Sequence, residues 1–159
     1  MKILEHTTTI QAPPAEVWRV LTDTDAYGQW NPFITELIGS LRVGERLAVT
    51  IHAGSKPRTF RPTVVAVEPH NVIRWRGRLG LPGIFDGDHE LKLEPTADGG
   101  TRFTQREVFS GVLIPLMNGV LRDTAAGFRA MNQALRMRSE SAQPTDHRLD
   151  RAVRRDVTS

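Results

Sequence analysis

His89 and Glu107 are the residues of this 159-residue chain whose types and placement could do proton chemistry. In FDGDHELKLEP, Phe85 to Pro95, a period of two puts His89, Leu91 and Leu93 on one face. Asp88, Glu90, Lys92 and Glu94 fall on the other. Glu107 sits in the same way between Gln105 and Phe109, on the inward side of a second alternating run, Thr101 to Ser110. A lone buried carboxylate is costly, so Glu107 must be hydrated, protonated or bonded to a neighbour. With Asp98-Gly99 as the centre of the intervening turn, paired positions sum to about 197. His89 then faces Val108, one residue from Glu107. A His–Glu pair can act as a general acid/base, the carboxylate raising the basicity of the imidazole. It can equally be a structural polar pair inside a core, and the residues alone leave both readings open.

Other chemical templates fail. His52, His70 and His89 lack metal-ligand spacing, and His6 and His147 lie near the ends. No P-loop, dinucleotide-binding glycine pattern or GxSxG elbow occurs, and the DGD segment at 86–88 and the GG segment at 99–100 read as turns. The absence of cysteine excludes disulfides, thiolate metal sites and cysteine nucleophiles. No metal and no cofactor are expected.

The elements that position these residues follow from periodicity. Ile3–Ile10 alternates as a strand, and Pro13 and Pro14 suit the first turn of a short helix through AEVWRVL. A second short helix or turn is expected in TDTDAYGQWNPF, broken by Gly28 and Asn31-Pro32. Strands are predicted near Phe33–Ser40, Glu45–Ala53, Thr59–Glu68, Asn71–Leu79, Asp86–Glu94 and Thr101–Ser110. Short connections between them indicate an antiparallel meander. The link LGLPGIF, from Leu79 to Phe85, is unusually apolar. From Pro115 to Arg138 the period becomes helical, over about 36 Å. Met117, Leu121, Thr124, Phe128, Met131 and Leu135 share one stripe, opposite Arg122, Asp123, Arg129, Gln133 and Arg136. The expected architecture is α+β: a curved seven-stranded antiparallel sheet around a long C-terminal helix, with two short helices after the first strand. Residues 1–140 form one domain, and 141–159 read as a disordered polar tail.

Parity also outlines a pocket. Trp75, His89, Phe103, Gln105, Glu107 and Phe109 point inward on three successive strands. Trp30 and the LGLPGIF link are placed to close one end, and Met117, Leu121 and Phe128 the other. Apolar walls with a few convergent polar groups are typical of small-molecule sites.

A net charge of +3 and a pI near 9.9 invite a nucleic-acid reading. Outward Arg74, Arg76 and Arg78 lie beside Asp88, Glu90 and Glu94, which in turn neighbour Arg102 and Arg106. A stripe neutralised in this way binds phosphates weakly, so no nucleic-acid partner is expected. No apolar run reaches the roughly 20 residues of a membrane span, and the N-terminal segment does not resemble a signal peptide. A cytoplasmic location is expected, and the oligomeric state is not indicated.

HTTTIQAPPAEVWRVLTD, YGQWNPF, FDGDHELKLEP, GGTRFTQREVFSGVL and the closing amphipathic helix resemble the START-related SRPBCC superfamily, the polyketide cyclase/dehydrase and lipid-transport group. The resemblance runs from Lys2 to Arg138 and implies a helix-grip fold with an apolar cavity. APPAEVW followed by Trp30-Asn31-Pro32 is specific for the superfamily but not for an activity, and no universal catalytic motif carries over. The expected function is binding of a hydrophobic small molecule, lipid-, polyketide- or aromatic-like, between sheet and C-terminal helix. The alternatives are a small cyclase or dehydratase using His89 and Glu107, and a protein–protein interaction module.

Overall fold

Two prolines fix how the chain leaves its first strand. In the computed structural model, which describes residues 1–78 and 81–142, strand β1 spans Lys2–Ile10. Pro13 is extended, at φ −65° and ψ 154°, and Pro14 opens helix α1, Pro14–Thr22. A missing N–H costs nothing in a first helical turn. The helix buries Val17, Val20 and Leu21. A 3₁₀ turn, Thr24–Ala26, leads into helix α2, Tyr27–Trp30. Asn31 Oδ1 then accepts hydrogen bonds from the backbone N–H groups of Phe33 (3.0 Å) and Ile34 (2.9 Å). That cap ends the helix and launches strand β2, Ile34–Ile38.

Tyr27 is fully enclosed, and its hydroxyl donates to the Leu21 carbonyl at 2.7 Å. Burial pushes its phenol well above the usual value. The fold therefore holds the neutral form, and the stabilisation is complete below the unfolded value of about pH 10. It is lost as pH rises towards the folded value. Tyr27→Phe is expected to flatten the alkaline fall of Tm, while costing about 1 kcal/mol at neutral pH for the lost hydrogen bond. Thermal melts from pH 8 to 11 check this; a variant melting with an unchanged alkaline slope would refute it.

The remaining strands are β3 (Ala48–Ile51), β4 (Arg58–Phe60), β5 (Thr63–Glu68), β6 (Val72–Arg78), β7 (Asp86–Pro95) and β8 (Thr101–Ser110). They form a five-stranded antiparallel sheet, β1-β8-β7-β6-β5, and a three-stranded one, β2-β3-β4. The expected seven-stranded sheet is thus corrected: the described residues form eight strands in two sheets. The predicted strand Thr59–Glu68 breaks at Arg61-Pro62, because Pro62 has no N–H to donate to a ladder. The two halves pair with different partners, β4 with β3 and β5 with β6. Backbone bonds from Gly44 to Val64, Val64 to Glu45 and Leu47 to Pro62 stitch the sheets together. The segment Asp86-Gly87-Asp88, read above as a turn, lies inside the paired part of β7.

Helix α3, Asn118–Ser141, packs against β1 and β8 of the long sheet and against α1. It begins later than expected, because Pro115 lies in a separate 3₁₀ turn, Ile114–Leu116. Leu121, Thr124, Phe128, Met131 and Leu135 are buried along it, and Met117 is half-buried before it. Gly127 is also buried, facing Phe33. On the outer sheet face, Asp88 bridges Arg74 (3.4 Å) and Arg76 (2.7 Å), and Arg78 meets Asp86 at 3.5 Å. The expected tail, from residue 143 onward, and the Leu79–Gly80 start of the apolar link lie outside the described residues.

Candidate functional site

Strand register brings His89 and Glu107 together. Pro95 pairs with Thr101 across the turn Thr96–Gly100, so His89 faces Glu107 directly and paired positions sum to 196. The expected pairing with Val108 is corrected by one residue. The reason is the turn: it is centred on Asp98, which accepts from the Thr96 hydroxyl and the Gly100 N–H. Gly99 supplies the left-handed residue, at φ +85°.

His89 is only 3% exposed and is held on every side. Its ring stacks on Trp75, the residue opposite it on β6, with centroids 4.9 Å apart and planes 3° from parallel. Phe128 of α3 meets it edge-on at 5.4 Å. Nδ1 lies 3.4 Å from Glu107 Oε2, and Nε2 lies 3.2 Å from Gln105 Nε2. An amide nitrogen can only donate, so the Gln105 N–H donates a hydrogen bond to Nε2. The ring hydrogen is then on Nδ1, which donates to the Glu107 carboxylate. Both imidazole nitrogens are thereby taken by protein groups. The other carboxylate oxygen, Glu107 Oε1, lies over Gly87. A Cβ at Gly87 would stand 2.7 Å from Oε1, so this strand glycine makes the room for the carboxylate.

Beside this pair is a cavity of about 430 Å³. The long sheet contributes Trp75, Gly77, Gly87, His89, Glu107 and Phe109. The short sheet contributes Ile34, Val49, Ile51 and Phe60 from the facing side, with Phe33 just before β2. Val120, Asp123 and Thr124 close it from the first turns of α3, and Phe85 from the end of the apolar link. The mouth is framed by the exposed β3–β4 hairpin, Gly54 to Arg58.

Of the residues singled out by parity, Trp75, His89, Glu107 and Phe109 line this space. Phe103 and Gln105 are on the same face of β8 but are fully buried in the core, where Gln105 touches Met131 Sδ of α3 at 3.5 Å. Phe128 packs between His89 and Phe33 in the core rather than on the cavity surface. Leu121 and Met117 join Phe85, Phe109 and Ile114 in a separate apolar cluster. Trp30 packs edge-on against Tyr27 at 5.4 Å and does not close the cavity. Alternation assigns a residue to a face; it does not say which part of that face the helix covers. Lys56, Arg58 and Asp123 were not anticipated, since nothing in a polar hairpin or an outward helical position marks them. Gly87 carried a usable signal, being a glycine inside a strand.

Among the described residues no group of three or more His, Cys, Asp or Glu could hold a metal ion. Nor is any described helix long and apolar enough to cross a membrane.

The fold is shared with solved structures. Protein MLL2253 from Mesorhizobium loti is 20% identical, with 90% of this chain and 100% of that one aligned at a TM-score of 0.71. The ZhuI aromatase/cyclase from Streptomyces sp. R1128 is 17% identical, covering 87% and 93% at 0.72. Ara h 8.0201 is 19% identical, covering 88% and 98% at 0.66. Among curated proteins no sequence match is found. At these identities the likeness speaks for the fold alone. The sequence profile described as polyketide cyclase/dehydrase and lipid transport matches residues 1–140, and the chain belongs to that family.

Proposed function

We propose that the protein binds a hydrophobic small molecule in the cavity between its two sheets and α3. The observation that carries this reading is the cavity itself: about 430 Å³, walled by Phe33, Trp75, Phe85 and Phe109, with one tethered carboxylate facing in. Volumes of this order suit small organic ligands, and apolar walls with few polar groups favour lipid-, polyketide- or aromatic-like ones. Native mass spectrometry of gently purified protein, followed by organic extraction, is the direct test. The expected result is a co-purifying or readily loaded apolar molecule. Trp75→Leu, which removes the flat wall beside His89, is expected to weaken its binding about tenfold. Protein that stays empty against a broad panel of apolar compounds would overturn the reading.

A second reading, a cyclase or dehydratase, is favoured by the His89–Glu107 contact alone. In that reading Glu107 is the group that meets substrate and His89 orients it, because both ring nitrogens are already engaged. The resemblance to an aromatase/cyclase supports the same direction at the level of fold.

A further inference from the structure

The charges around the cavity are not evenly placed. Lys56, Arg58 and Arg78 are its basic lining residues, and Glu107 and Asp123 its acidic ones. Glu107 belongs to the inner wall, with 16% side-chain exposure and a bond to His89. The three cations are on exposed positions. Arg78 is already paired with Asp86 at 3.5 Å. Lys56 and Arg58, both on the β3–β4 hairpin, have no acidic partner within ion-pair distance among the described residues. Across the mouth, α3 offers Asp123, whose carboxylate lies against Gly54 of the same hairpin. A Cβ at Gly54 would fall 2.8 Å from Asp123 Oδ2, and Gly54 is left-handed at φ +84°. The hairpin and the helix thus meet at this point, and the two cations stand next to the opening they leave.

We infer that the molecule held here is an amphiphile with an anionic head, which stays at the mouth against Lys56 and Arg58 while its apolar body lies on Trp75, Phe85 and Phe109. The inference rests on the ligand-binding reading above and adds the ligand's charge and its direction of insertion. The physical reason is twofold. An anion driven inward would lose its water and meet the carboxylate of Glu107, two costs of the same sign. At the mouth it keeps most of its hydration and gains two cations that are in no ion pair among the described residues. Asp123 opposes this attraction and so limits its strength.

Equilibrium dialysis of the full chain against four probes of one chain length separates the possibilities: decanoate, decyl phosphate, decanol and decylamine, each below its aggregation concentration. The two anions are expected to bind about tenfold tighter than decanol at low ionic strength, as two partly exposed ion pairs allow. That advantage shrinks as salt is added, whereas decanol binding does not weaken. Lys56→Ala with Arg58→Ala brings the anions down to the level of decanol, whose own affinity changes less than theirs; both positions are exposed, so the fold is not at risk. Asp123→Asn enlarges it. The ratio of decanoate to decyl phosphate tells whether the head is a carboxylate or a phosphate, and an excess of either supports the inference. Equal binding of all four, or tighter binding of decanol or decylamine, overturns the anionic head while leaving the cavity as a ligand site. Failure of every probe to bind overturns the ligand-binding reading and this inference with it.

Discussion

Gly127→Ala is expected to destabilise the protein by about 2 kcal/mol, although alanine is the better helix former. Intrinsic propensity favours alanine over glycine in a helix interior by up to about 1 kcal/mol. Packing decides otherwise. A Cβ at Gly127 would lie 2.1 Å from Cδ2 and 2.5 Å from Cε2 of Phe33. That ring is 1% exposed and sits edge-on to Phe128 at 5.5 Å, so it cannot simply swing aside. Forcing an extra carbon into such a core typically costs about 1–3 kcal/mol, and more when the neighbour is rigid. The net should appear as a fall in Tm of about 4–8 °C for a chain of this size. Phe33→Leu in the same chain should return part of the loss, because it clears the space the new methyl needs. A Gly127→Ala protein melting at or above the parent temperature would show that α3 can lift from the sheet at no cost, contrary to this picture. The same contact bears on function, since Phe33 is both the wall of the cavity and the neighbour of Gly127.

His89→Ala is expected to cost about 3 kcal/mol in stability, and the loss has separable parts. The stacked face on Trp75 and the edge contact with Phe128 disappear. Glu107 loses its donor and Gln105 its acceptor. Gln105 already has an unpaired Oε1, so the variant leaves a fully buried amide with no polar partner beyond the weak Met131 sulfur. Each orphaned buried polar group costs about 1–3 kcal/mol. Denaturant unfolding of His89→Ala, Glu107→Gln and the double variant measures how much of this is the pair itself. A coupling of about 1 kcal/mol is expected, since the contact is long at 3.4 Å and Glu107 is partly exposed. No measurable coupling would mean that the imidazole is held by stacking and by Gln105 alone. Glu107→Gln also discriminates between the two functional readings. It keeps the shape of the side chain and removes the base. A proton-transfer role predicts a loss of turnover of about 100-fold or more. A binding role predicts a change in affinity of a few-fold.

Much of this architecture follows from local chemistry. Proline at positions 13 and 14 has few conformations, so the exit from β1 into α1 is readable without any tertiary information. The alternation in β7 and β8 states which side chains face inward, because successive Cβ atoms in a strand point to opposite sides. The stripe from Leu121 to Leu135 likewise identifies the buried side of α3. The α+β class, with one long helix on antiparallel strands, was therefore within reach of the sequence. The break at Pro62 was also encoded there, in a residue that cannot donate to a ladder, and was missed because a run of β-branched residues follows it.

What only the folded chain decides is where along an inward face the space lies. Phe103 and Phe109 obey the same alternation, yet one is sealed in the main core and the other borders the cavity. That difference depends on how the other elements pack over the sheet, through contacts such as Gly127 of α3 on Phe33. Register is decided the same way: the turn centred on Asp98 places His89 opposite Glu107 rather than Val108. Lys56, Arg58 and Asp123 come together from a hairpin and a helix far apart in the chain. Period and composition describe one element at a time, and a binding site is a relation between several.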